Sequence, residues 1–175
     1  MSDDLQNEME NDFRDALKQK IRKLSREELE KVIIKFLADH CLATIATCDN
    51  NIPRSTPLRY RSHGLDIYIL TEGGGKLKNI LNNPKVSISL YGEYSGFESV
   101  KGLQVWGNAE IIRPEEKEKY QEARKLIKSE EREDLKKLGP LPIRDRLIIL
   151  KIKTERARYL SFPEGILNQI WEAGK

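Results

Sequence analysis

The sequence predicts a mainly β domain with flanking helices, its strands curled into a small antiparallel barrel. Three observations point there. Between residues 42 and 156 lie six stretches of strand length, rich in Ile, Val, Leu, Thr and Tyr and divided by turn residues. The longest, Val100 to Ile112, carries Gly102 and Gly107, expected bends or bulges of the kind that take a strand round a barrel. Ahead of residue 40 the apolar spacing is helical instead.

Leu5, Met9, Phe13, Leu17, Ile21 and Leu24 fall mostly four apart, which predicts an amphipathic helix over residues 3–24. Ser25-Arg26-Glu27-Glu28 is a capping-box sequence that opens a second helix, with Leu29, Val32, Ile33, Phe36 and Leu37 on one face and an end near His40. Strands follow at Leu42 to Thr47, Ser55 to Arg61 and Leu65 to Thr71. They are separated by the turns Asp49-Asn50-Asn51 and Ser62-His63-Gly64, and the last two form a hairpin. Glu72-Gly73-Gly74-Gly75 breaks the chain, and Lys76 to Asn82 is a short helix ended by Asn83-Pro84. Val86 to Tyr91 and Val100 to Ile112 are the next strands, with Trp106 expected in the core. Pro114 is assigned to the first position of a long charged helix that turns Tyr120, Ala123 and Ile127 inward and ends near Gly139-Pro140. Its Glu115, Glu116 and Glu118 suit the positive end of the helix dipole. Leu147 to Arg156 is the sixth strand. In the tail, Ile166, Leu167, Ile170 and Trp171 are spaced as on a helix, with Trp171 as its core anchor. The expected domains are a helical extension (1–40), the barrel (41–162) and a helical tail (163–175).

Composition narrows the function. With 175 residues, 38% apolar, the chain is long enough for one domain with its own core. Thirty-one Lys and Arg against 28 Asp and Glu give a net charge of +3, and the signs are interleaved, so a nucleic-acid partner is not expected. No apolar run has the roughly 18 residues of a membrane span, and the polar start Met1-Ser2-Asp3-Asp4 is not a signal sequence. The expected compartment is the cytoplasm, where Cys41 and Cys48 stay reduced and pack in the core. His40 and His63 are 23 residues apart with no matching acidic cluster, so no metal site is expected. No nucleophile–base–acid set suggests itself, and no residue is assigned to catalysis.

Two stretches offer chemistry. At Thr71-Glu72-Gly73-Gly74-Gly75-Lys76-Leu77-Lys78-Asn79 a strand ends, glycines free the backbone and a helix begins with two lysines in its first turn. Consecutive N–H groups there form an anion nest, and Lys76 and Lys78 add charge; this suits a phosphate, or is an ordinary glycine turn with solvated lysines. Arg54-Ser55-Thr56-Pro57-Leu58-Arg59-Tyr60-Arg61 holds three arginines in eight residues, suited to forked phosphate contacts or to a charged, protected edge strand. Arg54 and Arg59 are five apart, so a regular strand sends them to opposite faces unless Pro57 marks a bulge.

The order of these segments resembles the pyridoxamine 5'-phosphate oxidase-like, FMN-binding split-barrel family from Leu42 to about Phe162. The likeness runs through Leu42-Ala43-Thr44-Ile45-Ala46-Thr47, the arginine-rich strand, the strand ending in Thr71, and Lys76-Leu77-Lys78-Asn79-Ile80. It continues in Asn82-Asn83-Pro84-Lys85-Val86-Ser87, Gln104-Val105-Trp106-Gly107-Asn108-Ala109-Glu110 and the closing Ile152 to Tyr159. The resemblance implies a six-stranded antiparallel split β-barrel and a homodimer with FMN at the subunit interface. It implies Arg54 and Arg59 at the ends of the flavin-contacting strand and Ser55, Thr56, Pro57 and Leu58 beside the flavin ring. Thr71 would supply a hydroxyl, Lys76 and Lys78 the phosphate cations, and Gln104 a contact to the partner subunit's flavin. The chain departs from pyridoxamine phosphate oxidases themselves at its end, Asn168-Gln169-Ile170-Trp171-Glu172-Ala173-Gly174-Lys175, which lacks their terminal substrate-binding stretch. Vitamin B6 oxidation is therefore not the expected reaction. The expectation is an FMN oxidoreductase acting on a small-molecule substrate. The alternatives are a non-catalytic FMN carrier or sensor, a deazaflavin- or haem-binding member of the same fold, and a binding module without cofactor.

Overall fold

The computed structural model describes residues 21–127 and 147–174. Helix α1 (Arg26–Asp39) is followed by β1 (Leu42–Asp49), β2 (Ile52–Arg59), β3 (Arg61–His63) and β4 (Asp66–Thr71). Then come α2 (Gly75–Asn82), β5 (Lys85–Tyr91), a 3-10 turn (Phe97–Ser99), β6 (Lys101–Ile112), α3 (Lys117–Leu126), β7 (Ile148–Ser161) and β8 (Ile166–Glu172). Among the described residues, eight strands form one antiparallel sheet in the order β2-β1-β5-β6-β7-β4-β3, with β8 also paired to β7. Eight strands thus replace the six expected.

The curl follows from one residue. β2 and β3 stand at opposite ends of the strand order, yet only Tyr60 separates them in sequence. The sheet must therefore bend until its two edges meet. Tyr60 is pinned there, its N–H donating to Cys41 O at 2.9 Å and its buried hydroxyl to Leu37 O at 2.9 Å. β2 faces β4 across this seam without a ladder, which is the split in the barrel. Inside, Ile45, Ile67, Ile69, Ile88, Val105, Leu150, Ile152 and Ala157 form the core, closed at one end by Leu29, Ile33, Phe36 and Leu37 of α1. The capping box is present in full, with Glu28 N–H donating to Ser25 Oγ and Ser25 N–H to Glu28 Oε2.

Several expectations change. The first helix falls mainly outside the described residues, and its last expected turn, 21–24, is not helical. There Arg22 N–H donates to Gly165 O at 2.8 Å and Leu24 N–H to Gln169 Oε1 at 3.0 Å, so the segment lies along β8. Pro114 is in the turn before α3, whose N-cap is Glu116; Tyr120, Ala123 and Ile127 are buried as expected, and the expected end at Gly139-Pro140 lies outside the described residues. The β6–β7 register shifts between Trp106 and Gly107, where the extra residue is Glu155 of β7 and not a residue of β6, whereas Gly102 keeps regular register with Tyr91 and Leu160. A Cβ on Gly107 would lie 2.2 Å from Lys153 O, which explains the glycine.

The expected helical tail is strand β8, part of the same sheet. Ile166 and Trp171 are both buried although five residues apart, which a regular strand does not allow. Asn168 has φ of 50°, and the β7–β8 register shifts between Tyr159 and Ser161. This irregularity turns both side chains inward and mimics helical spacing in the sequence. Trp171 does anchor the tail, donating from Nε1 to Glu30 Oε2 at 2.7 Å. Cys41 and Cys48 are free and half-buried, not core residues.

Candidate functional site

The register of β1 and β2 runs unbroken from Leu42–Arg59 to Asp49–Ile52, so Pro57 makes no bulge. Arg54 pairs with buried Thr47 and Thr56 with buried Ile45, which puts both on the inner side; Ser55, Pro57 and Arg59 face out. Arg54 and Arg59 therefore lie on opposite faces of β2. Arg54 is carried instead to the glycine turn. A Cβ on Gly75 would meet Arg54 Cζ and Nε at 2.7 Å, so the guanidinium lies directly against the first residue of α2. The turn itself bends through Gly73 (φ 131°) and Gly74 (φ 92°), backbone states that glycine accepts without strain.

Thr71, at the buried end of β4, accepts from Gly73 N–H through Oγ1 at 3.2 Å. Lys76 donates from Nζ to Gly73 O at 2.8 Å, and burial lowers its pKa from the ordinary lysine value, opposed by the nearby Glu72 carboxylate. Thr71, Glu72, Gly73, Gly74 and Lys76 line a hollow of about 640 Å³ together with Leu70 and Leu147. Lys78 is exposed and lies about 200° round the helix from Lys76, so the structure does not bring it to this hollow. A residue the sequence reading passed over fixes the arrangement. Asn79 Nδ2 donates to Thr47 Oγ1 at 3.1 Å, tying α2 to the strand position opposite Arg54. The signal lay in a polar residue three after Lys76, on the face of α2 that meets β1. Asn83, with Nδ2 donating to Cys48 O at 3.1 Å, holds the other end.

A second cleft, about 530 Å³, lies where β2 ends, lined by His40, Cys41, Leu42, Pro57, Leu58, Tyr91 and Tyr94 among others. Leu58 is four residues from Arg54, about 13 Å along the strand. His40 bonds Phe36 O through Nδ1 at 2.8 Å and stacks on the Phe36 ring. Among the described residues no cluster of His, Cys, Asp and Glu could hold a metal ion.

The outer face of the sheet is ordered in rows. One crosses Pro57, Thr44, Ser89, Gln104, Arg158 and Ile170; the next crosses Ser55, Ala46, Ser87, Trp106, Arg156 and Glu172. Trp106 is thus on the outer face, under the Arg156 guanidinium at 5.0 Å, and not in the core. Gln104 is three strands from β2, about 14 Å, so it cannot reach the β2 edge of its own chain.

A family model described as pyridoxamine 5'-phosphate oxidase matches residues 29–160, three quarters of the chain. The chain belongs to the pyridoxamine 5'-phosphate oxidase-like family. The matched span runs from α1 through nearly all of β7 and so includes the glycine turn and Arg54. Among solved structures, an FAD-binding protein from Mesorhizobium loti is 20% identical over 78% of this chain and 94% of that one, with a TM-score of 0.61. General Stress Protein 26 from Bacillus anthracis is 19% identical, over 75% of this chain and 93% of its own, TM-score 0.55. A haem-binding protein from Mycobacterium smegmatis is 17% identical, over 86% and 58% respectively, TM-score 0.58. At these identities the likeness is one of fold. No curated protein matches the chain in sequence. These solved proteins share the architecture found here, while the ligands named in their descriptions differ. Among the described residues no helix is long and apolar enough to cross a membrane.

Proposed function

We propose that this protein is an FMN-dependent oxidoreductase that works as a homodimer on a small-molecule substrate. The observation that carries the reading is the Arg54 guanidinium against Gly75, beside the Gly73–Gly74 turn and the half-buried Lys76. A guanidinium, an ammonium and the free N–H groups at the start of α2 converge on one end of β2, which fits a phosphate monoester. Among the described residues Lys76 Nζ donates to the Gly73 carbonyl, and a phosphate oxygen would replace it as a stronger, charge-assisted acceptor. Thr71 braces the turn that presents these groups.

β2 pairs with β1 on one side only, so alternate backbone N–H and C=O groups of Ser55 to Leu58 open onto the seam. These would orient a flat heterocycle and satisfy its polar edge. The cleft at Pro57 and Leu58 lies where that strand ends and would admit an apolar substrate. FMN, when bound, supplies hydride transfer, and the protein's share is binding, orientation and exclusion of water. The FAD-binding description of the Mesorhizobium loti relative supports a flavin in this fold.

The homodimer reading rests on the outer face. Its middle rows carry Ala46, Ser55, Ser87 and Ser89, small residues that let two sheets approach closely, and Leu42 and Tyr91 are exposed at its margin. A two-fold contact there would bring Gln104 to the other subunit's β2 edge, beyond its reach within one chain. We assign the protein to the cytoplasm, where Cys41 and Cys48 stay reduced.

The test is the visible spectrum of the purified protein, followed by FMN titration and addition of NADH or NADPH. The expected result is a flavin band at roughly 450 nm, one FMN per chain, and bleaching by a nicotinamide donor. A haem Soret band, or no uptake of FMN, would overturn the reading. Bound FMN that no donor reduces would leave a carrier and remove the oxidoreductase.

A further inference from the structure

Gln104 and Arg158 stand directly opposite each other on the β6–β7 ladder, both on the outer face. Arg158 Nη2 donates to Gln104 Oε1 at 2.8 Å. A guanidinium has donors only, so the amide oxygen must face it and the amide nitrogen must turn away. The same device recurs in the neighbouring row, where Arg156 lies over the Trp106 ring at 5.0 Å and is itself tethered to Glu172 at 3.7 Å. The arginines of β7 thus hold two neighbouring outward side chains of β6. They differ in one respect: among the described residues Arg158 forms no ion pair and spends its charge on a neutral amide. Glutamine has three rotatable bonds, and fixing its amide before a ligand arrives removes an ordering cost from binding.

Resting on the flavin reading above, we propose that Arg158 is the positioning residue of Gln104. It presents the Gln104 Nε2–H₂ group as a hydrogen-bond donor to the flavin held by a second copy of this chain. Arg158 takes one of the two lone pairs of the Gln104 oxygen, and both Nε2–H donors remain to meet a flavin carbonyl or ring nitrogen.

A double-mutant cycle read by FMN affinity and flavin midpoint potential tests this, with sedimentation confirming that each variant keeps the wild-type oligomeric state. Gln104→Ala and Arg158→Met should each weaken FMN about five-fold, the worth of one ordinary hydrogen bond, and move the potential in the same direction. The double variant should be no weaker than Gln104→Ala, and Arg158→Lys should recover part of the loss. Effects that add, or an Arg158→Met protein with wild-type affinity and potential, would overturn the positioning role. If wild type binds FMN and Gln104→Ala leaves affinity and potential unchanged, this inference falls and the flavin reading stands. A wild-type chain that takes up no FMN removes both.

Discussion

Replacing Gly75 by alanine should separate phosphate binding from stability. Gly75 is the first residue of α2 and has an ordinary helical sign of φ, so the backbone accepts alanine there. Alanine is also the better helix former, by up to about 1 kcal/mol in a helix interior and less at its first position. The new methyl would, however, meet Arg54 Cζ and Nε at 2.7 Å and Nη2 at 2.8 Å, well inside contact distance. The far end of an arginine can swing away at little cost, so the fold survives while the guanidinium leaves the turn. A charge-assisted hydrogen bond is worth about 1.5–3 kcal/mol, so FMN should bind roughly 10- to 150-fold more weakly. Thermal melting of the FMN-free protein should stay within about 2 °C of wild type, since surface changes of this kind stay within about 0.5 kcal/mol. Arg54→Ala should match Gly75→Ala in affinity. The reasoning is refuted if Arg54→Ala weakens FMN and Gly75→Ala does not, because Arg54 would then reach the ligand from another position.

Other perturbations probe the turn, the bulge and the tail. Lys76 has a lowered pKa in the folded protein, so it loses its proton before an ordinary lysine does; its destabilising effect is relieved as pH rises from the folded value toward 10.5. Bound phosphate would favour the charged form, so FMN affinity should fall as pH rises through that same window. Lys76→Arg, which keeps its charge, should flatten the fall in a titration series; an unchanged slope would exclude Lys76 as its source. Gly107→Ala drives a Cβ to 2.2 Å from the Lys153 carbonyl, a backbone atom that cannot swing away. A cost of about 3 kcal/mol follows, seen as a drop of roughly 6–12 °C in Tm. Trp171→Ala removes a buried ring and its bond to Glu30 and should cost about 3–5 kcal/mol by chemical denaturation. Ser25→Ala breaks the capping box for about 1 kcal/mol, or 2–4 °C in Tm.

Local physics was legible in the chain alone. The capping box at Ser25 to Glu28, the turn at Asn50-Asn51 and the break at Gly73 to Gly75 all depend on neighbours in sequence, and each stands where the residues put it. So does the alternation that buries Val86, Ile88 and Leu90. The tail was misread for a physical reason: a strand with one left-handed residue at Asn168 buries positions five apart, and apolar spacing cannot tell that from a helix. The ends of the arginine-rich stretch were also a tertiary matter. Tyr60 splits it between the two edges of one sheet, so Arg59 faces out and Arg61 begins another strand. What only the folded chain decided is which of these residues meet. The seam closes because β2 and β3 are joined through a single residue, and that closure sets Arg54 against Gly75, 21 positions away. Register did the same on the outer face, where a plain strand pairing sets Arg158 against Gln104 across 54 positions. A sequence states what each residue can donate or accept, but strand order and register choose its partner.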